Sequence, residues 1–275
     1  GSGLDLSSIV SGLVAAERTP AENRLAAQDQ SISTELSAFG VLRSSLALFQ
    51  GSLNSLSTNS IYNAKGVSNS DSSVFTTSAT SNADIAAYNV EVTALAKAHA
   101  LASNPATAFT DVNDTVGTGT LTIRFGTTTT GPYSFTADTG KATQTITVSS
   151  ANNNTTLSGL RDYINSNDFG VKAAIVNDGS GFRMTLLSES TGASNSMEIS
   201  VSNDGDGNQL DNVGLSQLAY NVDAQSSAIQ TVAAQDAALK INGLDITRDT
   251  NTVTGAIDGV TMNLLKADAG NIVSV

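Results

Sequence analysis

Along this chain the apolar residues change their period once, from seven near the N-terminus to two over most of the remaining length, so a long helix must join a β-rich body. Leu25, Ile32, Phe39, Leu46 and Leu53 recur every seven residues, and from Phe39 onward Leu42, Phe49 and Leu56 fill the position three later. Such a pattern is the seam of a coiled coil; spacing alone fits the apolar stripe of an ordinary bundle helix equally well. Gln28 and Glu35 stand where the second apolar residue should sit in the first half, which predicts a weaker seam there. Upstream, Asp5 can cap a short helix carrying Ile9, Val10, Leu13 and Val14. Thr19-Pro20-Ala21-Glu22 has the form of a capping box with Pro at the first helical position, so the long helix is expected to begin at Pro20. Residues 1–64 form the predicted helical leg.

Beyond Gly66 apolar and polar residues alternate, as in half-buried antiparallel strands, over Tyr88 to Val92, Leu121 to Phe125, Thr145 to Val148 and Met197 to Val201. Asp178-Gly179, Asn242-Gly243 and Asp258-Gly259 are hairpin-type turns between such runs. One short helix is predicted over Thr155 to Asn165, with Leu157, Leu160 and Ile164 on one face and Asn154 or Thr155 as cap. Asn104-Pro105-Ala106 and Asn203 to Asn208 are the best internal boundaries. The expected fold is therefore α+β: a helical coiled-coil leg, then two mainly antiparallel β domains, the second inserted into the first. The discontinuous domain is expected at 65–108 and 219–275, and the insert at 109–218.

Little here can do chemistry. Charged residues make up 14%, and the net charge is −12 with basic residues scattered singly, which excludes a phosphate-binding surface and so a nucleic-acid partner. No apolar run approaches the roughly 18 residues of a membrane span, and the first residues lack the basic and apolar regions of a secretory signal. With no Cys and one His there is no disulfide framework, thiolate metal site or nucleophile–base pair, and no catalytic, cofactor-binding or metal-binding residue is assigned. His99, in an Ala-rich stretch, is expected to have a surface or packing role. Asp204, Asp206, Asn208 and Asp211 imitate the start of a calcium loop, but Gln209 replaces the turn Gly and Leu215 the bidentate Glu, so a solvated loop is expected. Thr127 to Thr130 beside Gly131-Pro132 is expected at an exposed loop tip, or as a weakly adhesive polar surface.

Four stretches resemble the bacterial flagellar filament cap family (hook-associated protein 2, FliD). The opening Gly1-Ser2-Gly3-Leu4-Asp5-Leu6-Ser7-Ser8-Ile9-Val10, continuing to Glu17, is similar to that family's N-terminal signature, with Gly3, Leu4, Asp5, Ile9 and Val10 as its motif. Tyr88 to Ser103 resembles the next family block, with His99 where a polar residue such as Gln is common. Leu157 to Val201 resembles a repeat shared with flagellins, and Ile241 to Leu265 the passage from head back towards leg. The resemblance implies a structural protein, not an enzyme, exported by the flagellar type III route to the filament tip outside the cell. There it would form a homo-oligomeric ring of about five copies, contact filament-tip subunits through its legs and scaffold folding and insertion of flagellin beneath a plate of β domains. It also implies a helical return segment beyond Val275. The alternatives are another hook-associated or flagellin-like axial subunit, and an adhesin whose head binds host mucin or other glycans.

Overall fold

The computed structural model describes residues 5–57, 65–104, 106–130, 133–209, 211–221 and 227–275, and the chain divides into two compact units, Gly1–Ala64 and Lys65–Val275. In the first, one helix, α1 (Leu6–Ser57), runs without a break for 52 residues. Asp5 caps it, its Oδ1 accepting the backbone N–H groups of Ser7 (3.0 Å) and Ser8 (3.3 Å) and the Ser7 hydroxyl (2.6 Å). The Ser7 hydroxyl, followed by the backbone donors, holds the Asp5 carboxyl below its ordinary value.

The expected helix start at Pro20 is corrected. Pro20 lies inside α1, and the Thr19 hydroxyl donates back to the Ala15 carbonyl (2.5 Å), as a residue within a helix does. A proline here removes one bond at a cost of about 3 kcal/mol. Breaking the helix would instead orphan a full set of terminal donors and acceptors. Ala15, Ala16, Glu17 and Arg18 before it, and Ala21, Glu22 and Leu25 after it, are all strong helix formers that favour continuity.

The second unit contains two hydrophobic cores. Around the first lie a sheet ordered β12 (Leu244–Arg248), β11 (Ala237–Ile241), β2 (Asn89–Ala94), β15 (Val273–Ser274), and a sheet ordered β1 (Phe75–Ala79), β14 (Val260–Leu264), β13 (Thr252–Ile257). Their alternating inward residues, among them Phe75, Val90, Val92, Leu239, Val253 and Met262, fill that core. Around the second lie β10 (Ile229–Val232), β3 (Ala98–Ala102), β8 (Phe182–Thr191) and β7 (Val171–Asn177) in one sheet. In the other, β4 (Gly119–Thr130) pairs with β5 (Tyr133–Ala137), β6 (Gln144–Val148) and β9 (Ser196–Ser202). Helix α2 (Leu157–Ser166) contributes Leu157, Leu160 and Ile164 to this core. Its cap is Thr156, whose hydroxyl accepts the Gly159 N–H (3.1 Å); Asn154 is fully buried and ties down Ser149 and Thr147 instead. Thr127 to Thr130 is strand, not loop, and pairs with residues of β5; Gly131 and Pro132 lie outside the described residues.

The chain passes from the first core to the second earlier than the Asn104 loop suggests. β3 pairs with β8 and β10, whereas Lys97 and Gln235 exchange backbone hydrogen bonds (2.8 and 3.2 Å) where the two crossing segments meet. Both cores therefore draw on residues far apart in sequence.

Two turns carry a measurable contrast. At Asn242-Gly243 both residues have positive φ (50° and 84°), the two-residue turn that suits a twisted hairpin, and a Cβ on Gly243 would meet nothing within 4 Å. Gly259 also has positive φ (69°), but a Cβ there would sit 2.5 Å from the Ala83 nitrogen and 2.7 Å from its Cα. Gly243→Ala should thus cost about 1 kcal/mol, while Gly259→Ala should cost clearly more and lower the urea midpoint of the first core. Equal midpoints for the two variants would show that the Ala83 approach is unimportant.

His99 is built into the second core at 1% exposure. Its Nδ1 accepts the Met197 N–H (2.8 Å), so the proton sits on Nε2, which donates to Gln230 Oε1 (3.0 Å); Tyr220 donates to the same oxygen (3.0 Å) and meets the ring edge-on. Burial pushes the imidazole below its ordinary value of 6.5, against the raising effect of Gln230. The fold favours the neutral ring. Its contribution is complete above the unfolded value and is lost as pH falls from there through the folded one, at up to about 1.4 kcal/mol per pH unit. His99→Gln should lose this slope: melts from pH 7.5 down to 5 should converge with wild type, while parallel curves would show that His99 is not the group titrating.

Candidate assembly surface on the N-terminal helix

At about 100° per residue, the sevenfold repeat drifts by about 20° each heptad, so Leu25 to Leu53 trace a shallow stripe about 42 Å long on α1. Within their own unit these side chains stand in water: Phe39 and Leu46 are each 65% exposed, and Leu25, Ile32, Leu42, Phe49 and Leu53 are exposed as well. Seven large apolar groups thus stand in water on one stripe of one helix, and each would gain about 1.5–3 kcal/mol on full burial. Ile9 and Val10 are exposed nearer the capped end, and Asp5 is the cap itself. Of the other expected site residues, Gly3, Leu4 and the side chain of Leu56 lie outside the described residues.

Leu36, Val41 and Leu48 are also exposed on α1, outside the predicted seam. Leu36 lies beside Ile32, next to the polar Glu35, and widens the stripe where Gln28 and Glu35 weaken it. Val41 and Leu48, themselves seven apart, lie roughly opposite the seam at about 100° per residue. Their spacing was a signal available in the sequence. Polar groups on α1 contribute little: the Arg18–Glu22 pair (3.0 Å) is exposed on both sides and worth at most about 1 kcal/mol.

On the second unit the charged and polar groups mainly hold the fold together. Arg183 pairs with Asp178 and donates through Nη1 to the Asn104 carbonyl (2.6 Å); the Ser180 hydroxyl, then Arg183, holds the Asp178 carboxyl well below the usual carboxylate range. Glu198, nearly buried, pairs with Arg124 across β4 and β9. Asp204 is also buried, and its Oδ2 accepts the N–H (3.1 Å) and hydroxyl (2.7 Å) of Ser216, so this carboxylate fastens a loop to the second core. Asp206 accepts the Asn208 N–H (2.9 Å).

Chain ends of this unit lie together. Ser70 N–H donates to the Ser274 carbonyl (2.9 Å), and Tyr88 and Val275 exchange backbone bonds (3.0 and 2.9 Å). Ser70 and Tyr88, near the start of this unit, therefore share an edge with Ser274 and Val275 at its end.

Comparison with known proteins gives a consistent picture. Residues 2–99 match the family model described as flagellar hook-associated protein 2 N-terminus, residues 234–275 the model of its C-terminus, and residues 134–188 the flagellin hook IN motif. The chain is 35% identical over 259 residues to flagellar hook-associated protein 2 of Escherichia coli K12, covering 92% of this chain and 50% of that protein. It is 32% identical over 273 residues to the B-type protein of Pseudomonas aeruginosa, covering 94% and 52%. The chain thus spans about half the length of the curated relatives it matches. Among solved structures, the D1-D2-D3 domains of the Escherichia coli flagellar cap protein FliD superpose with a TM-score of 0.70 at 33% identity, covering 87% of this chain and 62% of that one. The D2-D3 domains alone give 0.64 at 32%, covering 77% and 97%.

Proposed function

The chain belongs to the flagellar hook-associated protein 2 family, the FliD filament caps, and from that premise we propose that it is the leg-and-head portion of a cap at the flagellar filament tip. The cap is a structural scaffold outside the cell, not an enzyme. It leaves through the flagellar export machinery, assembles as a homo-oligomeric ring and rests on filament-tip subunits. Incoming flagellin folds beneath it and is inserted into the filament.

The observation that carries this reading is the exposed heptad stripe of α1, which supplies the leg's contact. Its first partner is a helix from the half of the protein that the relatives have and this chain does not span. The pairing of Ser70 with Ser274 and of Tyr88 with Val275 supports that choice, because such a return segment would leave beside the entry of the leg. Val41 and Leu48, on the other side of α1, supply a second contact, to a neighbouring copy or a tip subunit.

Domain boundaries follow the cores. We place the discontinuous head domain at about 65–97 and 235–275 and the insert between, because Lys97 and Gln235 pair at the crossing and the two hook-associated protein 2 models match up to residue 99 and from residue 234.

The test is complementation. The full-length gene, expressed in a strain whose own cap gene is deleted and whose flagellin is compatible, should restore filaments and stop the loss of unpolymerised flagellin to the medium. Continued leakage with the protein present at the tip would refute a capping role.

A further inference from the structure

The sheet ordered β10, β3, β8, β7 ends in two unlike edges. β10 is four residues long, and its register shifts between Gln230 and Val232, an irregularity that resists an added strand. At the other edge β7 runs from Val171 to Asn177 in unbroken antiparallel register with β8. Its residues, Val171-Lys172-Ala173-Ala174-Ile175-Val176-Asn177, include three β-branched ones and a single charge, which Glu189 neutralises at 2.8 Å. A regular, weakly charged edge of this kind is a template for another extended chain.

One side chain stands in the way. Asn165, in the last turn of α2, reaches across the connection to β7 and takes both backbone groups of Ala173. Its Nδ2 donates to the Ala173 carbonyl (2.8 Å), and its Oδ1 accepts the Ala173 N–H (2.8 Å). A carboxamide so placed repeats the exchange of N–H and C=O that a residue of a neighbouring antiparallel strand makes. The Ala173 groups therefore point away from β8, and by the two-residue period those of Val171, Ile175 and Asn177 face the same side. Met184, opposite Ile175, agrees with this, since its carbonyl accepts the Ser103 N–H (2.8 Å) on the other side of β8. With Ala173 taken inside the row, an incoming strand meets a ladder already interrupted.

We propose that Asn165 guards the free edge of β7, occupying from within the chain the site where an extended polypeptide would add as a fifth strand. The purpose of the guard, though not its geometry, rests on the cap reading: a head that works beside unfolded flagellin must not draw it into a sheet. Asn165 and Ala173 both lie in residues 134–188, the stretch that matches the flagellin hook IN motif, so the passage from helix to strand there gains a role besides packing. A second clasp of the same form supplies a control. Asn251 accepts the Ala96 N–H (2.7 Å) and donates to the Ala96 carbonyl (3.0 Å), but Ala96 is buried between β2 and β3 and presents no open edge.

The test uses the 275-residue chain. Asn165→Ala is expected to raise self-association, read by sedimentation equilibrium, about tenfold or more over wild type, because β7 of a second copy can then recover the two lost hydrogen bonds. Amides of β7 should gain hydrogen-exchange protection as that variant is concentrated. Asn251→Ala loses an equivalent pair of bonds and should associate as wild type does. Val176→Lys added to Asn165→Ala puts a charge on the edge strand and should return association to the wild-type level, although positive charge lessens the repulsion between acidic chains. Leu187→Lys added instead puts the same charge on the interior strand β8, on the outer face where Leu187, Val232 and Ile229 are exposed, and should not reverse the rise. Both double variants share the lost clasp with Asn165→Ala, so their comparison stands even if that variant melts early. Association of Asn165→Ala equal to wild type overturns the proposal, as does an equal rise in Asn251→Ala. So does reversal by Leu187→Lys, its absence with Val176→Lys, or association that leaves the β7 amides unprotected. None of these measurements involves flagellin: failed rescue by the wild-type gene in the complementation experiment sinks the cap reading and leaves the guard itself untouched.

Discussion

Phe39→Ala combined with Leu46→Ala in the full-length protein is expected to abolish filament growth and release flagellin into the medium. Both side chains lie mid-stripe on α1, and the proposed return helix covers them. Truncating a buried Leu costs about 2–5 kcal/mol and a buried Phe about 3–5, so the pair removes about as much stability as the less stable whole domains have in reserve. A helix needs that contact, since most helical stability comes from packing an apolar face. The 275-residue chain supplies the control. There the two residues are each 65% exposed, so the same double variant should shift the melting of the chain by no more than about 0.5 kcal/mol. A large loss in the chain alone would mean that the stripe is already packed in it. Normal filaments from the full-length variant would mean that the stripe is not the leg's contact.

How much of this was legible in the sequence depends on how far apart the deciding partners lie. The stripe on α1 and the alternation in β4, β6 and β9 are local, and the helix and strands appear where those periods run. Pro20 misled because its local signature, a capping box with Pro at the first position, is the one a true start would show. Continuity was decided by the good helix formers on both sides. The role of His99 needed Met197 and Gln230, each on a different strand. A lone imidazole in an Ala-rich run shows neither its tautomer nor its burial. β3 was the hardest case, because it follows β2 closely in sequence and reads as part of the same domain. Only its register with Leu186 and Leu187 assigns it to the other core. The apolar outer face of that sheet was hidden for the same reason, since Leu187, Val232 and Ile229 become neighbours only once β8, β3 and β10 are aligned.

Those registers make the choice of cut decisive in an excision experiment. Removing residues 98–234 and joining Lys97 to Gln235 through a short Gly/Ser turn is expected to leave the first core folded. The two ends already exchange hydrogen bonds at that pair, so the new connection closes a hairpin, and loop closure costs little when the ends are held together. Phe75, Val90, Val92, Leu239, Val253 and Met262 all remain. Removing 109–218 instead retains β3 and β10 but deletes β8, β9 and Met197. Leu101, now 1% exposed, and His99 would then be uncovered, and β3 would keep only the four-residue β10 as a neighbour. An isolated two-stranded ribbon is at best marginal in water, and its freed edge invites aggregation. Denaturant melts should give one cooperative transition for the 98–234 excision. For the 109–218 excision they should give a broader, earlier loss with aggregation. A cooperative, soluble product from the second cut and none from the first would place β3 and β10 with the first core.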